Sequence, residues 1–274
     1  MEVSPHHRPE VMTVRPVGVV RSPVRERGAM PPFGVPAVIE FFPEYQAGLL
    51  RLEKHSHIWV VAWLDRSERD LLQVTPRGVS ASDPAALHGV FAVRSPARPN
   101  PLGLTAARIH AIRASSVEVE SLDFLDGTAV VDIKPYFVSR DLIYSATNAQ
   151  IGRPSSREAL RESLLHQARA FHAELCADLA LAVRIVEHFR AEVLRFQDDD
   201  TVRIAVPVER GCLIDAVMGM TRVSPGRGTL LLHRRRRLCF FRGESVFEYE
   251  PLARRHDPAA ILEVPDEVLF RARR

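Results

Sequence analysis

Cysteine, lysine and long apolar runs are all scarce in this sequence. The three cysteines, Cys176, Cys212 and Cys239, are an odd number, which argues against a disulfide framework and for free thiols or metal ligands. The longest strictly apolar run, Ile58 to Leu64, is seven residues, far short of the roughly 20 that cross a bilayer. The start, Met1 to Glu10, is polar and lacks the apolar stretch of a secretory signal, so the expectation is a soluble cytoplasmic protein with no membrane partner. Net charge is only +3, too small to draw in nucleic acid by itself. Residues 1–150 carry 16 basic and 16 acidic side chains and residues 151–274 carry 21 and 18, so any hold on a phosphate backbone must come from local patches. Lys54 and Lys134 are the only lysines; the other 35 basic residues are arginines.

What is present is ordinary for a folded chain. Hydrophobic residues make up 46% and charged residues 26%, enough apolar surface for real cores, and 274 residues suit two domains. From Val14 to Asp141 short apolar runs of period two alternate with Pro and Gly. This predicts strands at Pro16–Arg21, Pro36–Phe41, His57–Leu64, Gly89–Val93, Leu104–Ile112, Ser116–Leu122 and Ala129–Ile133, with a short helix at Pro43–Leu52. So many strands imply a closed or nearly closed sheet, because closure removes exposed edges. Beyond Gly152–Pro154 the period changes. Ser155–Arg169 and Cys176–Leu194 read as amphipathic helices, the second with a stripe of Leu179, Val183, Val186 and Phe189. Thr201–Val208 alternates as a strand, Leu213–Met220 reads as a helix, and Thr229–His233, Leu238–Phe241 and Ser245–Tyr249 read as strands. The expected fold is a mainly β domain over residues 1–150, a compact β-barrel, followed by an α+β domain over 151–274. The boundary falls between Asp141 and Ser155.

Two segments of the first domain stand out. In Gly89-Val-Phe-Ala-Val-Arg-Ser-Pro-Ala-Arg-Pro-Asn-Pro-Leu-Gly-Leu104 the prolines at 96, 99 and 101 exclude a helix or central strand. They leave a stiff extended loop that presets Arg94, Arg98 and Asn100, either for a small molecule or as solvated surface. In Leu122-Asp-Phe-Leu-Asp-Gly-Thr128, Asp126-Gly127 is a turn dipeptide whose carboxylate can accept hydrogen bonds from ribose hydroxyls or an ammonium group. A plain hairpin turn has the same sequence. Asp132, Lys134 and Tyr136 follow it.

These motifs, with Gly18-Val-Val-Arg-Ser-Pro23 and Ser56-His57, occur in the order found in the TrmO/YaeB/TsaA-like family of S-adenosylmethionine-dependent methyltransferases, which the chain resembles between residues 14 and 141. The resemblance implies a compact β-barrel methyltransferase, a homodimer with S-adenosyl-L-methionine near the protomer interface, and N6 methylation of threonylcarbamoyl-adenosine beside the anticodon of tRNA. It assigns cofactor contacts to Pro23, Val24, Arg25, His57, Ile58, Arg94, Leu104, Leu125, Asp126, Gly127 and Thr128. Lys54-His-Ser-His57 stands where the family has Gly-Phe-Ser-His, so the Phe contact is lost. A histidine on an apolar strand is also compatible with a hydrogen-bonded core position. The proline-stiffened loop and the aspartyl turn are expected to share one pocket.

In the second domain, His172 and Cys176 are four apart, on one face if the helix is continuous, with Glu174 nearby and Cys212 able to join them through the fold. Nitrogen and sulfur ligands suit zinc or another transition metal, and core packing is the alternative for cysteines. Phe171 to Val183, Glu209-Arg-Gly-Cys-Leu-Ile-Asp-Ala216 and Gly226-Arg-Gly-Thr229 resemble an FmdE-like domain, with Glu174 in place of a second histidine and Ala177-Asp178 in place of Pro-Gly. The resemblance leaves a metal site of His172, Cys176 and Cys212. The basic block His233-Arg-Arg-Arg-Arg237 offers Arg234–Arg237 to RNA phosphate or forms a solvated hairpin turn. The leading expectation is a tRNA-modifying methyltransferase. The alternatives are methyl transfer to a small molecule or metal-bound ligand presented by the second domain, and a protein that senses S-adenosylmethionine or metal without turnover.

Overall fold

The computed structural model describes residues 12–80, 82–252 and 257–274; the polar start at Met1–Glu10 lies outside them. The chain divides into two compact units. One holds Leu87–Thr147 together with the chain up to Arg77, and the other holds Gly78–Ala86 and Asn148–Arg274. The sequence suggests a single cut; Gly78–Ala86 joins the second unit through backbone bonds from Ser80 N–H to Arg153 C=O (2.9 Å) and from Ser155 N–H to Gly78 C=O (2.8 Å). No apolar period marks so short an excursion.

The first unit runs β1 (Gly18–Arg21), β2 (Val35–Phe41), β3 (His57–Trp63), β4 (Gln73–Val74), β5 (His88–Gly89), β6 (Leu102–Ile112), β7 (Ser116–Leu122), β8 (Ala129–Pro135) and α1 (Val138–Asp141). Six of these strands close an antiparallel barrel in the order β1-β2-β7-β6-β3-β8. β3 shows why: Ile58, Val60 and Ala62 point inward and are fully buried, while His57, Trp59, Val61 and Trp63 alternate outward. Val20, Ile39, Phe41, Val117, Val119, Leu122 and Val130 complete the interior, each fully buried aliphatic side chain contributing about 1.5–3 kcal/mol. Pro36 falls at a register shift between β2 and β7, where a missing N–H costs no ladder bond.

Two expectations change here. Gly89–Val93 is not a strand. Only His88–Gly89 pairs, with Gln73–Val74, and the chain then turns through an Ala92 N–H bond to Gly89 C=O. Val90 is buried but Phe91 is 84% exposed and Ala92 is exposed too, so the run has no second face to cover. Pro43–Leu52 is not one α-helix but two 3-10 turns, Pro43–Leu49 and Leu52–Lys54, separated by Arg51 at φ +67°. Leu49 at the end of the first turn and Leu52 at the start of the second are both buried, whereas Leu50 faces solvent.

The second unit runs α2 (Arg157–His172), α3 (Ala177–His188), β9 (Arg203–Pro207), α4 (Gly211–Thr221), β10 (Leu230–His233), β11 (Leu238–Arg242), β12 (Ser245–Pro251), α5 (Pro258–Glu263), α6 (Asp266–Leu269) and β13 (Phe270–Arg273). Its sheet has the order β10-β9-β11-β12-β13, with β9 and β10 parallel and the other pairs antiparallel. The final strand and the two short helices before it escape the sequence pattern because each spans six residues or fewer around Pro258 and Pro265. The helix α3 is buried on all sides rather than along a stripe, so Arg184 and Glu187 lie inside with it. Glu187 accepts from Arg157 Nε (2.5 Å) and Arg161 Nε (2.7 Å), while Arg184 donates to the carbonyls of Ile261 and Val264 and to Asp266. Among the described residues no helix is long and apolar enough to cross a membrane.

Candidate functional site

At one rim of the barrel the chain leaving β1 is stitched to the turn between β7 and β8. Gly127 has φ +81°, the left-handed region that favours glycine, and its N–H donates to Val20 C=O (2.9 Å). Asp126 N–H donates to Val24 C=O (2.8 Å), Val20 N–H to Thr128 C=O (2.9 Å) and Thr128 N–H to Leu125 C=O (3.1 Å). The Asp126 carboxylate accepts from Ser22 N–H (3.2 Å) and stands 3.5 Å from Arg25 Nε. The structure therefore brings seven predicted residues together: Pro23, Val24, Arg25, Leu125, Asp126, Gly127 and Thr128.

A cleft of about 650 Å³ opens beside this turn, lined by Ser22, Pro23, Arg25 and Asp126 and by residues of β2, β6 and β7. Two bulges shape it. β7 is out of step with β2 at Pro36 and with β6 at His110, and both residues line the cleft with Glu118 and Glu120. Sequence reasoning passed over Ser22, His110 and the two glutamates. A bulge leaves no periodic mark, and only the pairing partners reveal it.

The other predicted contacts do not line that cleft. His57 lies on the outward face of β3 opposite Arg108 of β6, and Leu104 lies on β6 opposite Val61. Ser56 Oγ is 2.9 Å from His57 Nδ1, and burial, aided by the Arg108 charge, lowers the His57 pKa and favours the neutral ring. Ile58 points into the barrel core. Arg94 is exposed, its guanidinium 5.9 Å from the centre of the Trp59 ring. Arg98 is committed elsewhere: it clamps the proline loop by donating to the carbonyls of Ser95 (2.7 Å), Val90 (2.9 Å) and Val93 (2.6 Å). The two arginines of the loop have different tasks, and the expected single pocket of loop and turn is not this cleft.

In the second unit His172, Cys176 and Cys212 do meet, their ligand atoms all within 4.8 Å of one another. The route differs from the sequence expectation. Ala173 at φ +70° ends α2, so His172 and Cys176 do not share one helix; Cys176 instead caps α3, its Sγ accepting from Leu179 N–H at 3.4 Å. Cys212 sits in the first turn of α4. His172 Nε2 faces Cys176 Sγ at 3.8 Å, while Nδ1 is held by the Asp215 carboxylate at 3.0 Å. Fixing one ring nitrogen on a carboxylate leaves the other free for a metal. Burial, then the hydrogen bond with Cys176, raises the Cys212 pKa, so its thiol resists ionising until a cation arrives. One nitrogen and two sulfurs fit a tetrahedral transition metal, zinc first, with a fourth position left over. Glu174 is exposed and outside the cluster. Asp215 was legible only as a motif residue, three positions after Cys212 on the same helix.

Comparison with known proteins bears on both units. The family described as tRNA-methyltransferase O N-terminal domain matches residues 19–142, and the family described as FmdE, Molybdenum formylmethanofuran dehydrogenase operon, matches residues 171–245. A "Probable S-adenosyl-L-methionine-binding protein" of Archaeoglobus fulgidus is 36% identical over 232 residues, which cover 81% of this chain and 61% of the relative. A protein of the same description from Methanothermobacter thermautotrophicus is 43% identical over 132 residues, covering 47% of this chain and 92% of the relative. The crystal structure of TrmO from Pseudomonas aeruginosa aligns at 30% identity over 50% of this chain and 62% of that one, with a TM-score of 0.41. Because the match spans nearly the whole Methanothermobacter relative, the chain belongs to the tRNA-methyltransferase O N-terminal domain family, and it carries an FmdE domain after it.

Proposed function

We propose that the protein is an S-adenosylmethionine-dependent methyltransferase acting on tRNA, at N6 of threonylcarbamoyl-adenosine next to the anticodon. The observation that carries this reading is the stitched rim: Pro23 to Arg25 and Leu125 to Thr128 converge on a cleft in a chain whose relatives are described as S-adenosylmethionine-binding. The Asp126 carboxylate, steadied by Ser22 N–H, is placed to accept hydrogen bonds from ribose hydroxyls or an ammonium group. When bound, the sulfonium supplies an already activated methyl group, so the chain has only to hold, align and dispose of one proton. Arg94, His57 and Leu104 complete the contacts in a homodimer, in which a second protomer brings its proline loop to the rim. The protein works in the cytoplasm.

The His172, Cys176 and Cys212 cluster supports a second reading, in which the second unit holds zinc and presents a metal-bound ligand as methyl acceptor. Mass spectrometry of nucleosides from cells with and without the gene separates the two. Loss of methylated threonylcarbamoyl-adenosine on deletion supports tRNA as substrate, and an unchanged nucleoside profile rejects it. Calorimetry with S-adenosylmethionine tests the cofactor directly: Asp126→Ala should weaken binding, and a wild-type chain that binds none ends both readings.

A further inference from the structure

The outward face of β3 and the end of β8 carry aromatic side chains that the barrel core does not use. Trp59 alternates with the buried Ile58 and Val60, so its indole is outside and only half-buried. Tyr136 follows β8, its ring 5.5 Å from the indole at a tilt of 41°, and the His57 ring lies 6.3 Å from Tyr136. Farther along, His55 meets Phe137 edge-on at 5.1 Å.

Cations are interleaved with these rings. The Arg94 guanidinium lies 5.9 Å from the Trp59 ring centre and that of Arg140 lies 5.4 Å from the Phe137 ring centre. Lys134 is the β8 partner of Trp59, and Arg108 is the β6 partner of His57. The acids close by are already engaged: Asp132 with Lys134 at 2.7 Å, Glu120 with Arg108 at 3.6 Å, and Asp141 with the Phe137 N–H at 2.7 Å. Partly exposed rings set among arginines are how proteins grip unpaired nucleotides, the rings stacking on bases and the cations meeting phosphates.

We propose that Trp59 and Tyr136 form a stacking platform for an unpaired purine of the RNA acceptor, with Arg140 meeting a flanking phosphate. The proposal rests on the methyl-transfer reading above and names the residues that hold its substrate. The adenine of the methyl donor is the other source of the same chemistry, and titration with each ligand separates the two.

The sequence has two tryptophans, Trp59 and Trp63, so Trp63→Phe makes Trp59 the sole indole reporter. The full chain is titrated separately with an anticodon stem-loop RNA bearing adenosine 3′ to the anticodon and with S-adenosylmethionine. The RNA should quench Trp59 emission, and Trp59→Ala or Tyr136→Ala should weaken RNA binding about 10-fold, within the range measured for losing one stacked base. Trp59→Phe and Tyr136→Phe keep a ring and should retain most of the affinity, which separates stacking from misfolding. Calorimetric affinity for S-adenosylmethionine should stay within about twofold of wild type in all four variants. Unchanged RNA affinity in both alanine variants overturns the platform, as does quenching by S-adenosylmethionine without quenching by RNA. Full-rate methylation by the alanine variants would overturn the platform and spare the methyltransferase reading. RNA binding through Trp59 without any methyl transfer would do the reverse.

Discussion

At the barrel rim the predicted residues are joined by backbone hydrogen bonds, whereas in the second unit three side chains meet at the ends of three helices. The rim holds its shape through N–H and C=O groups, which most substitutions leave alone, so its chemistry depends on one carboxylate and on the glycine that lets the chain turn. The corner of His172, Cys176 and Cys212 has no such redundancy. Each of α2, α3 and α4 contributes one ligand, so losing any side chain should empty the site. Cys176→Ser, Cys212→Ser and His172→Ala should each abolish stoichiometric zinc, read by elemental analysis of the purified chain. Asp215→Asn, which touches only the far nitrogen of His172, should keep the metal but weaken it about 10- to 100-fold in a chelator competition. Full zinc with wild-type affinity in Cys212→Ser would dissolve the contrast.

The two units also differ in where they put charge. In the barrel, Arg21 and Glu40 pair at 2.7 Å on the outside, both about half exposed, and Glu40→Gln should leave the urea midpoint almost unchanged. In the second unit Glu187 is fully buried and accepts from Arg157 and Arg161 while lying 3.2 Å from Arg184 Nε. Glu187→Gln removes the carboxylate that Arg157, Arg161 and Arg184 share, leaving Asp266 to Arg157 and Arg184 and only a carbonyl to Arg161, and urea unfolding should report a loss of about 3–5 kcal/mol. A loss no larger than that of Glu40→Gln would mean the interior is wetter than its packing implies. Between these lies Gly127→Ala, which forces a side chain into the left-handed region at φ +81°. It should cost about 1–2 kcal/mol and loosen S-adenosylmethionine binding together with the turn.

Much of this architecture can be read from periodicity. β3 alternates cleanly, and α2 begins where Ser156 can cap it, so strands and helices fall close to their expected places. His172, Cys176 and Cys212 were legible as candidate ligands, but their meeting depended on Ala173 breaking the helix, a backbone state no residue preference foretells at alanine. His110 and Pro36 reach the cleft through bulges, and a bulge is a property of two strands at once. Arg98 and Arg94 look alike in sequence; only the ring of carbonyls around Arg98 shows that one is a clamp and the other is free to serve a ligand.

The smallest expected difference lies in the response to acid. Burial lowers the pKa of His57 in the barrel and of His188 in the second unit, with Arg108 adding to the first effect and Asp266 opposing the second. A histidine whose folded-state pKa is depressed contributes stability that is complete above its unfolded value, near 6.5, and that drains away as pH falls through the folded value. Both units should therefore melt at lower temperature at pH 5.5 than at pH 7.5. His188 sits deeper, its Nδ1 3.0 Å from the Tyr249 hydroxyl and its ring edge-on to Phe270, so protonation there disturbs a packed aromatic cluster. His188→Gln should flatten the acid dependence of the second unit's melting more than His57→Gln flattens that of the barrel, and the reverse order would mean that the barrel's outer face, not the helical core, is where acid acts first.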